Sequence, residues 1–246
     1  MDDFFEKQYS VHSYECDDKF TLKPSAIVDF LQDIAIWHSE AVGCGYNEMK
    51  RMGFAWILYR WKINVKRLPS LGEKLTVRTW SSGMERIYAY RSFRIFDEQD
   101  NIICEALSTW LVINIEKRSV CSVPPDIFDK YVNLDECIFK NVYTANPLSL
   151  AKDELLTVPY TVRKHHLDYN LHMNNAKYVE LFLDSVNLEI EKSFDLEVTY
   201  KKECLLGNEI SCTYFNTDNT NTVVAVIKLS DADNNRNANT LFKLEV

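Results

Sequence analysis

Three side chains with acid–base chemistry stand close together in the second half of the chain. Asp168, Asn170 and His172 occupy positions i, i+2 and i+4, and in an extended segment such side chains point to the same side. A helix is predicted to begin directly after them, with Asn174 as its N-cap. The first amides of a helix lack intrahelical acceptors and carry partial positive charge, so they can hold an oxyanion. The set therefore suits hydrolysis of an activated carbonyl group.

Two segments with helical apolar periodicity are predicted to form the long helices of the chain. The first runs from Pro24 to Val42 and the second from Asn175 to Glu189. The second helix has an apolar stripe of Val179, Phe182, Leu183 and Val186. The first has a stripe of Ile27, Leu31, Ile34, Ala35 and Val42, with Phe30, Ile36 and Trp37 outside it. We therefore expect the first helix to be buried on several sides.

Each predicted helix is followed by four runs rich in β-branched and aromatic residues, which are typical of strands. After the first helix these runs are Trp61–Lys66, Leu75–Trp80, Tyr88–Phe96 and Ile102–Ile113. After the second helix they are Phe194–Cys204, Glu209–Phe215, Thr222–Leu229 and Asn239–Val246.

The two halves align with each other, which indicates an internal repeat. Asp17 matches Asp168 at an offset of 151 residues, and after the helices the offset becomes 135. The difference of 16 residues is extra chain in the first half, near residues 44–58. One helix wrapped by an antiparallel sheet is the hot-dog arrangement, so the sequence predicts an α+β fold of two tandem hot-dog units. We place these units at residues 1–132 and 157–246, joined by a linker of residues 133–156.

A polar loop that merely precedes a helix would contain the same residue types, with Asp168 in a turn. The repeat favours the chemical interpretation, because Lys19 lies opposite Asn170 and Thr21 lies opposite His172. A cap alone would be needed in both halves, whereas the reactive set occurs only in the second. We therefore predict one active site per chain, in the second unit.

A second reactive pair, Glu203 and Cys204, lies at the predicted end of a strand. Alternation along that strand puts Cys204 in phase with residues such as Tyr200 and leaves Glu203 on the other face. This favours Cys204 as buried packing and Glu203 as the group that joins the site. A thiol nucleophile activated by His172 is the alternative, because Cys–His pairs activate thiols.

Composition and charge argue against several classes of protein. The chain has 246 residues, a net charge of −8 and 46 % hydrophobic residues, and this acidity argues against a general nucleic-acid binder. No apolar run is long enough to span a bilayer, and no signal peptide is recognisable. The seven cysteines form no C-x-x-C pair, so we expect reduced thiols in a cytoplasmic protein. No spacing of His, Cys or Asp indicates a metal site, and no cofactor is expected.

The segment DYNLHMNNAKY, residues 168–178, resembles the D-x-N-x-H-x-N-N-x-K-Y signature of the fatty acyl–acyl carrier protein (acyl-ACP) thioesterases. The Glu203-Cys204 pair resembles the Glu-Cys pair that follows this signature. The first half is also similar to the family, over LKPSAIVDFLQDIA and GFAWILYRWKINVKRLPSLGEKLTVRTWSSG. The resemblance covers nearly the whole chain and is to a bacterial-type member, without the transit segment of the plant plastid enzymes.

This resemblance implies a double hot-dog fold and hydrolysis of fatty acyl-ACP to free fatty acid and holo-ACP, in fatty acid biosynthesis. It assigns the catalytic positions to Asp168, Asn170, His172, Glu203 and Cys204. We expect the substrate carbonyl to lie near Asn174 and Asn175, at the helix start. Asp168 would act as base toward water or attack the carbonyl directly, and His172 would protonate the departing thiolate or share the base role.

The partner implied by the resemblance is an acidic carrier protein, with neither nucleic acid nor membrane involved. Docking of such a carrier needs a local basic surface, and the candidates are Lys62, Lys66, Arg67 and Arg78, or Arg86, Arg91 and Arg94. The first unit is expected to hold the acyl chain, with Trp37, Phe54, Trp56, Trp61 and Trp110 as lining candidates. The sequence leaves open the chain length, a preference for CoA over the carrier, and homodimer formation.

Two other functions use similar features. A hot-dog hydratase or dehydratase acting on 3-hydroxyacyl thioesters would also use a His and a carboxylate, and a non-catalytic protein would bind acyl thioesters with a decayed site. The Asn-rich pattern around Asn170 favours the thioesterase over the hydratase. The complete set of acid, amide and imidazole argues against decay.

Overall fold

The computed structural model describes residues 4–139, 143–185, 193–230 and 238–246. The chain divides into two compact units, Met1–Val142 and Tyr143–Val246. Each unit is an antiparallel sheet with a helix packed against it, as the sequence predicts.

Unit 1 contains the longer elements. Its helices are α1 (Pro24–Ala41), α2 (Tyr46–Arg51) and α3 (Pro125–Phe128). Its strands are β1 (Phe5–Ser10), β2 (Phe54–Val65), β3 (Lys74–Glu85), β4 (Tyr88–Phe96), β5 (Ile102–Asn114) and β6 (Ser119–Cys121). The strands pair in the order β1-β3-β4-β5-β2, and β6 pairs with β5.

Unit 2 repeats this plan with shorter elements. Its strands are β7 (Glu154–Thr161), β8 (Phe194–Tyr200), β9 (Glu209–Phe215), β10 (Thr222–Leu229) and β11 (Thr240–Glu245), and its helix is α4 (Asn175–Asp184). The strands pair in the order β7-β9-β10-β11-β8. This order is the same as that of β1-β3-β4-β5-β2, which confirms the repeat. The extra chain of unit 1 forms α2 and the first residues of β2.

Helix α1 is buried along most of its predicted stripe and also at Phe30, outside the stripe, but not at Ile36 and Trp37. Ile27, Leu31 and Ile34 are fully buried. Ile36 and Trp37 are 40 % and 50 % exposed, so the prediction is wrong for that face of the helix. The Trp37 ring stays at the surface because its indole N–H donates to Asp33 of the same helix, and the Nζ atom of Lys7 lies 4.7 Å from its centroid.

Helix α4 packs through aromatic stacking. Phe182 is fully buried and stacks on Phe242 of β11, with ring centroids 4.5 Å apart, and on Tyr214 of β9. The last predicted residues of this helix, including Val186, lie outside the described residues.

The segment predicted as a linker, residues 133–156, contacts both units along parts of its length. Asn133 accepts a hydrogen bond from Ser81 of unit 1, whereas Thr144 donates to Glu197 of unit 2. Strand β7 already begins at Glu154, inside this segment. Among the described residues, no helix has both the length and the apolar character needed to cross a membrane.

The stacked aromatic core predicts a large loss of stability on truncation. Phe182→Ala should lower the free energy of unfolding by about 3–5 kcal/mol, because it removes a buried ring and leaves a cavity. Chemical denaturation measures this loss. Phe20→Ala is the matched control, since Phe20 is 66 % exposed. Equal losses in the two variants would contradict the proposed packing of α4.

Candidate active site

The candidate residues lie on a tight loop rather than in an extended segment. The Asp168 amide donates to the His172 carbonyl at 2.8 Å, and Leu167 and Met173 form a bridge across the loop. The Asp168 Oδ1 atom accepts from the amides of Asn170 at 2.8 Å and His172 at 3.2 Å. The extended conformation predicted from the spacing is therefore wrong, because the Asp168 carboxylate hydrogen-bonds the following amides and bends the chain.

The same loop occurs in unit 1. Asp17 Oδ1 accepts from the amides of Lys19 and Thr21, both at 2.9 Å, and the Asp17 amide donates to the Thr21 carbonyl at 2.8 Å. Phe20 and Leu171, at the equivalent position of each loop, both have left-handed backbones with φ of 59° and 63°. The aspartate therefore has a conformational role in both units, which explains why it is the member of the set that both halves share.

The start of α4 confirms Asn174 as the N-cap. Its side-chain Oδ1 accepts from the Ala176 amide at 2.8 Å, and its carbonyl accepts from the Lys177 amide at 2.9 Å. The Asn174 amide itself donates to the His166 carbonyl at 2.8 Å. The expectation that the first amides are unpaired is therefore wrong for Asn174, Ala176 and Lys177, since each already has an acceptor.

The structure joins the Glu203-Cys204 pair to the candidate loop through the backbone. The Met173 amide donates to the Cys204 carbonyl at 2.9 Å, and His172 forms a bridge with Leu205. The two motifs that the sequence singled out, with His172 and Glu203 31 residues apart, therefore meet within unit 2.

Glu203 and Cys204 differ in exposure, as predicted, although the predicted reason is wrong. Strand β8 ends at Tyr200, so strand alternation does not extend to these residues. Glu203 is exposed and Cys204 is fully buried. Burial raises the pKa of the Cys204 thiol, and the Tyr178 hydroxyl opposes this effect. The Cys204 amide also donates to the Tyr178 hydroxyl at 2.8 Å, so the residue is built into the packing beneath the loop.

A groove lies beside β7 in unit 2 and another lies beside β1 in unit 1, and the candidate residues line neither. The groove of unit 2 has a volume of about 480 Å³ and is lined by residues including Tyr160, Arg163, His166 and Glu209. The groove of unit 1, about 580 Å³, is lined by residues including Tyr9, equivalent to Tyr160.

The aromatic residues expected to line an acyl pocket have different environments. Trp61 is fully buried beside Phe93, with ring centroids 5.2 Å apart. Phe54 and Trp56 pack against a buried cluster of Cys44, Met49, Val112, Ile127 and Tyr131. Trp110 is partly buried and donates to Ser108. Trp37 is half-exposed and is therefore not an interior lining residue.

Most cations predicted as a docking surface are neutralised within unit 1. Arg78 pairs with Glu6 at 2.7 Å, and Arg94 pairs with Glu136 at 2.6 Å. Lys66 and Arg67 also have acidic partners, described below. Arg91 is buried, and one of its Nη atoms lies 2.6 Å from His38 Nδ1. Burial, followed by the Arg91 charge, lowers the pKa of His38 to about 3, so this imidazole is a neutral acceptor. Of the seven docking candidates, Lys66, Arg67, Arg78 and Arg94 are therefore ion-paired and Arg91 is buried.

Within residues 4–139, 143–185, 193–230 and 238–246, no three His, Cys, Asp or Glu side chains are grouped so that they could hold a metal ion. The acid–base groups described on the candidate loop are the Asp168 carboxylate and the His172 imidazole.

Family models match both units of the chain. The acyl-ACP thioesterase N-terminal domain matches residues 2–131, and the acyl-ACP thioesterase C-terminal domain matches residues 150–244. The chain belongs to the acyl-ACP thioesterase family. This membership confirms the resemblance inferred from the sequence signature.

Curated relatives of this thioesterase-family chain are plant proteins. It is 26 % identical over 214 residues to a chloroplastic palmitoyl-acyl carrier protein thioesterase of Gossypium hirsutum, covering 81 % of this chain and 52 % of the relative. It is 26 % identical over 218 residues to a chloroplastic oleoyl-acyl carrier protein thioesterase of Arabidopsis thaliana, covering 81 % and 60 %. The chain thus spans between half and three fifths of the length of these relatives.

Solved structures confirm the double hot-dog fold of this thioesterase-family chain. An acyl-ACP thioesterase from Bacteroides thetaiotaomicron has a TM-score of 0.84 at 21 % identity, covering 99 % of this chain and 97 % of the other. The 12:0-ACP thioesterase from Umbellularia californica has a TM-score of 0.79 at 20 % identity, covering 98 % and 96 %.

The loop geometry predicts that an acceptor at position 168, rather than a charge, maintains the fold. Asp168→Ala should lower the free energy of unfolding by about 1 kcal/mol, because two amides lose their acceptor. Asp168→Asn keeps a side-chain oxygen and should be less destabilising. Chemical denaturation measures both variants, and amide exchange at Asn170 and His172 reports on the loop itself. Equal destabilisation by the two substitutions would contradict the role of the Oδ1 acceptor.

Burial of Cys204 predicts low thiol reactivity. Iodoacetamide at pH 8 should alkylate Cys204 in the native protein at least about tenfold more slowly than Cys137, which is partly exposed. Mass spectrometry of peptides from timed reactions gives both rates, and the unfolded protein is the control for intrinsic reactivity. Rapid native labelling of Cys204 would support the thiol-nucleophile alternative instead.

Proposed function

We propose that this chain hydrolyses the thioester bond of fatty acyl-ACP, releasing free fatty acid and holo-ACP, in the cytoplasm and as part of fatty acid biosynthesis. The observation that carries the proposal is the signature loop of unit 2, which has Asn170 and His172 where the otherwise equivalent loop of unit 1 has Lys19 and Thr21. Family membership over both units supports the same reaction.

We assign the base to Asp168. Its Oδ1 atom accepts two amides of its own loop, so Oδ2 is the oxygen that we assign to the reaction. This oxygen either removes a proton from the attacking water, or attacks the thioester carbonyl and expels the thiolate to give a transient anhydride, which water then hydrolyses to the fatty acid and the free carboxylate. In both routes the loop amides hold the carboxylate in one orientation, which lowers the cost of reaching the reactive geometry.

The remaining groups are proposed to orient the substrate and the water and to protonate the leaving thiolate. His172 protonates the departing thiolate or shares the base role, and Asn170 orients the substrate or the water. Glu203 positions water or acts through His172, since the bridge between His172 and Leu205 joins their segments. Cys204 is assigned a supporting role beneath the loop, because it is buried against Tyr178.

Binding of the carbonyl is proposed at the start of α4. The amides of Asn174, Ala176 and Lys177 already have acceptors, so the contribution of Asn174 is to cap the helix and that of Asn175 is to contact the substrate. The helix dipole adds a favourable field for an oxyanion at this end. The aromatic interior of unit 1 is the proposed place for the acyl chain.

Removal of the acid–base groups should abolish most of the activity. Asp168→Asn and His172→Ala should each lower kcat for acyl-ACP hydrolysis by roughly 10²–10⁴, the range for loss of a general acid or base. Thiol release with matched acyl-ACP and acyl-CoA substrates, over several chain lengths, measures the rates.

The repeat supplies matched controls for these two variants. Asp17→Asn and Thr21→Ala make comparable changes in the equivalent loop of unit 1 and should leave kcat within about twofold, because that loop lacks the reactive set. Near-normal turnover of both Asp168→Asn and His172→Ala would overturn the assignment. Turnover of 3-hydroxyacyl or enoyl thioesters without thiol release would replace hydrolysis with hydration chemistry, and preference for CoA would change the partner.

A further inference from the structure

Four exposed cations flank the candidate loop in unit 2. Arg163 and Lys164 precede the loop, and Lys201 and Lys202 follow strand β8. We call these four residues the basic rim. Both segments are tied to the loop by backbone hydrogen bonds, from the Asn174 amide to the His166 carbonyl and from the Met173 amide to the Cys204 carbonyl.

Two of these cations have equivalents in unit 1. Lys66 and Lys201 each follow the last residue of equivalent strands, β2 and β8, and their amides donate to Ile103 at 2.8 Å and Asn239 at 2.7 Å. The next residue is Arg67 in unit 1 and Lys202 in unit 2. The repeat therefore keeps a pair of cations at the same place in both units.

The pair in unit 1 is neutralised by acidic side chains. The Nζ atom of Lys66 lies 3.1 Å from Glu105. One Nη atom of Arg67 lies 2.5 Å from Glu73 and 2.9 Å from Asp97. These contacts hold the pKa of Glu73 below its ordinary value, chiefly through the hydrogen bond from Arg67. The positive charge of the pair is thus compensated inside unit 1.

Unit 2 has neutral residues at all three of these acidic positions. Strand register makes Leu241 the equivalent of Glu105, because Glu105 pairs with Asn64 in unit 1 and Leu241 pairs with the equivalent Thr199 in unit 2. Register also makes Leu229 the equivalent of Asp97. Asp97 directly follows the partner of Thr76, and Leu229 directly follows the partner of the equivalent Ser211. The third follows from the Val11 and Val162 amides, which donate to the carbonyls of Glu73 and Asn208. Leu241, Leu229 and Asn208 cannot neutralise Lys201 or Lys202.

The rim is accordingly unpaired in the part of the chain that the structure describes. No described carboxylate oxygen lies within 4.0 Å of a charged nitrogen of the rim, although ion pairs of this kind are common in unit 1. Glu209, the acidic residue that lines the groove beside Arg163, instead accepts a hydrogen bond from Thr161 at 2.9 Å. These four exposed cations lie beside the candidate loop in a chain whose net charge is −8.

Exposed apolar side chains lie beside the rim. Leu171, Leu205 and Leu206 are 71 %, 48 % and 52 % exposed, and Leu205 is bridged to His172 on the loop. Apolar residues surrounded by charges are typical of a protein–protein contact surface.

We propose that the basic rim, with these leucines, is the surface on which the acidic carrier protein docks to deliver its acyl thioester to the candidate loop. The inference rests on the proposed function. Unpaired exposed cations steer an acidic partner through long-range attraction and fix its orientation, and this contribution weakens with salt. The absence from unit 2 of counterparts to the three acids of unit 1 leaves Lys201 and Lys202 available to such a partner.

Charge reversal on the rim tests the proposal. Lys201→Glu with Lys202→Glu, and separately Arg163→Glu with Lys164→Glu, should lower kcat/KM for acyl-ACP by about tenfold or more. The loss should be mainly in KM, and much smaller for acyl-pantetheine, which has neither carrier protein nor phosphate. The salt dependence of KM for acyl-ACP should also become shallower in both variants.

Lys117→Glu with Arg118→Glu is the matched control. These exposed residues lie in the turn between β5 and β6, and the substitutions change the net charge by the same amount. The control should retain wild-type kcat/KM with both substrates, and thermal unfolding should show that all variants are folded. Lys201→Gln with Lys202→Gln should give an intermediate loss.

The outcomes separate the docking surface from the reaction. A similar loss of acyl-ACP efficiency in the rim and control variants, or an equal loss for acyl-ACP and acyl-pantetheine, would overturn the docking surface while leaving hydrolysis intact. An equal loss for acyl-ACP and acyl-CoA would show that the rim binds the phosphate of the prosthetic arm and not the carrier. If the wild-type protein hydrolyses none of these thioesters, the proposed function fails, and calorimetric binding of acyl-ACP to wild type and rim variants still tests docking.

Discussion

The arrangement of the candidate site depends on one carboxylate oxygen that accepts two backbone amides. Asp168 Oδ1 bends the chain so that Asn170 and His172 follow within a single turn, and the same turn brings His172 against Leu205. Without this acceptor the loop would lose two hydrogen bonds at the point where α4 begins. The residue proposed as the base thus also fixes the conformation of its own loop. Its Oδ1 atom accepts the loop amides, and its Oδ2 atom is the one that we assign to the reaction.

Internal duplication separates the conformational role of these residues from their chemical role. Both loops keep the aspartate, the left-handed residue and the bridge, so these features belong to the fold. Only unit 2 adds Asn170 and His172, so these belong to the reaction that we propose. The same comparison applies to charge: Lys66 and Arg67 are compensated, whereas none of the described acids forms an ion pair with Lys201 or Lys202. Unit 1 therefore serves as an internal reference, because each residue of the candidate site in unit 2 can be compared with the residue at the equivalent backbone position.

Sequence patterns predicted the elements well where they had strong local signals. The bounds of β4, β9 and β10 were predicted correctly, and Asn174 caps α4 as expected, because turn residues and a cap are local properties. Local patterns failed where a side chain competes with the backbone. Alternation predicted an extended segment at Asp168 and a strand through Cys204. The conformation there is decided instead by the backbone amides that donate to the Asp168 carboxylate and by the end of β8 at Tyr200. Exposure of Trp37 was missed because its indole N–H is bonded to Asp33 on its own helix, an interaction that hydrophobicity does not encode.

The basic residues show most clearly what a linear sequence omits. Arg78, Arg94 and their neighbours look like a cationic stripe in the sequence, but acids from other strands lie against them in the fold. The sequence analysis did not single out Lys201 and Lys202, which directly precede Glu203. Strand register identifies them as the equivalents of Lys66 and Arg67 without the acidic partners of those residues. Such charge pairs can join residues that are far apart in sequence, as for Arg67 and Asp97, which are 30 residues apart. A sequence signal exists in retrospect: the acids Glu73, Asp97 and Glu105 have no acidic counterparts in the second half.

The shared loop also has a consequence for protein engineering. Asp17 holds Lys19 and Thr21 in the same backbone conformation that Asp168 imposes on Asn170 and His172. Unit 1 therefore has the turn of the candidate site without its amide and imidazole side chains. Grafting two side chains, Lys19→Asn and Thr21→His, would install the second motif without remodelling any main chain. The internal repeat thus provides a second loop of the same backbone conformation, in which side chains can be changed without altering the loop of unit 2.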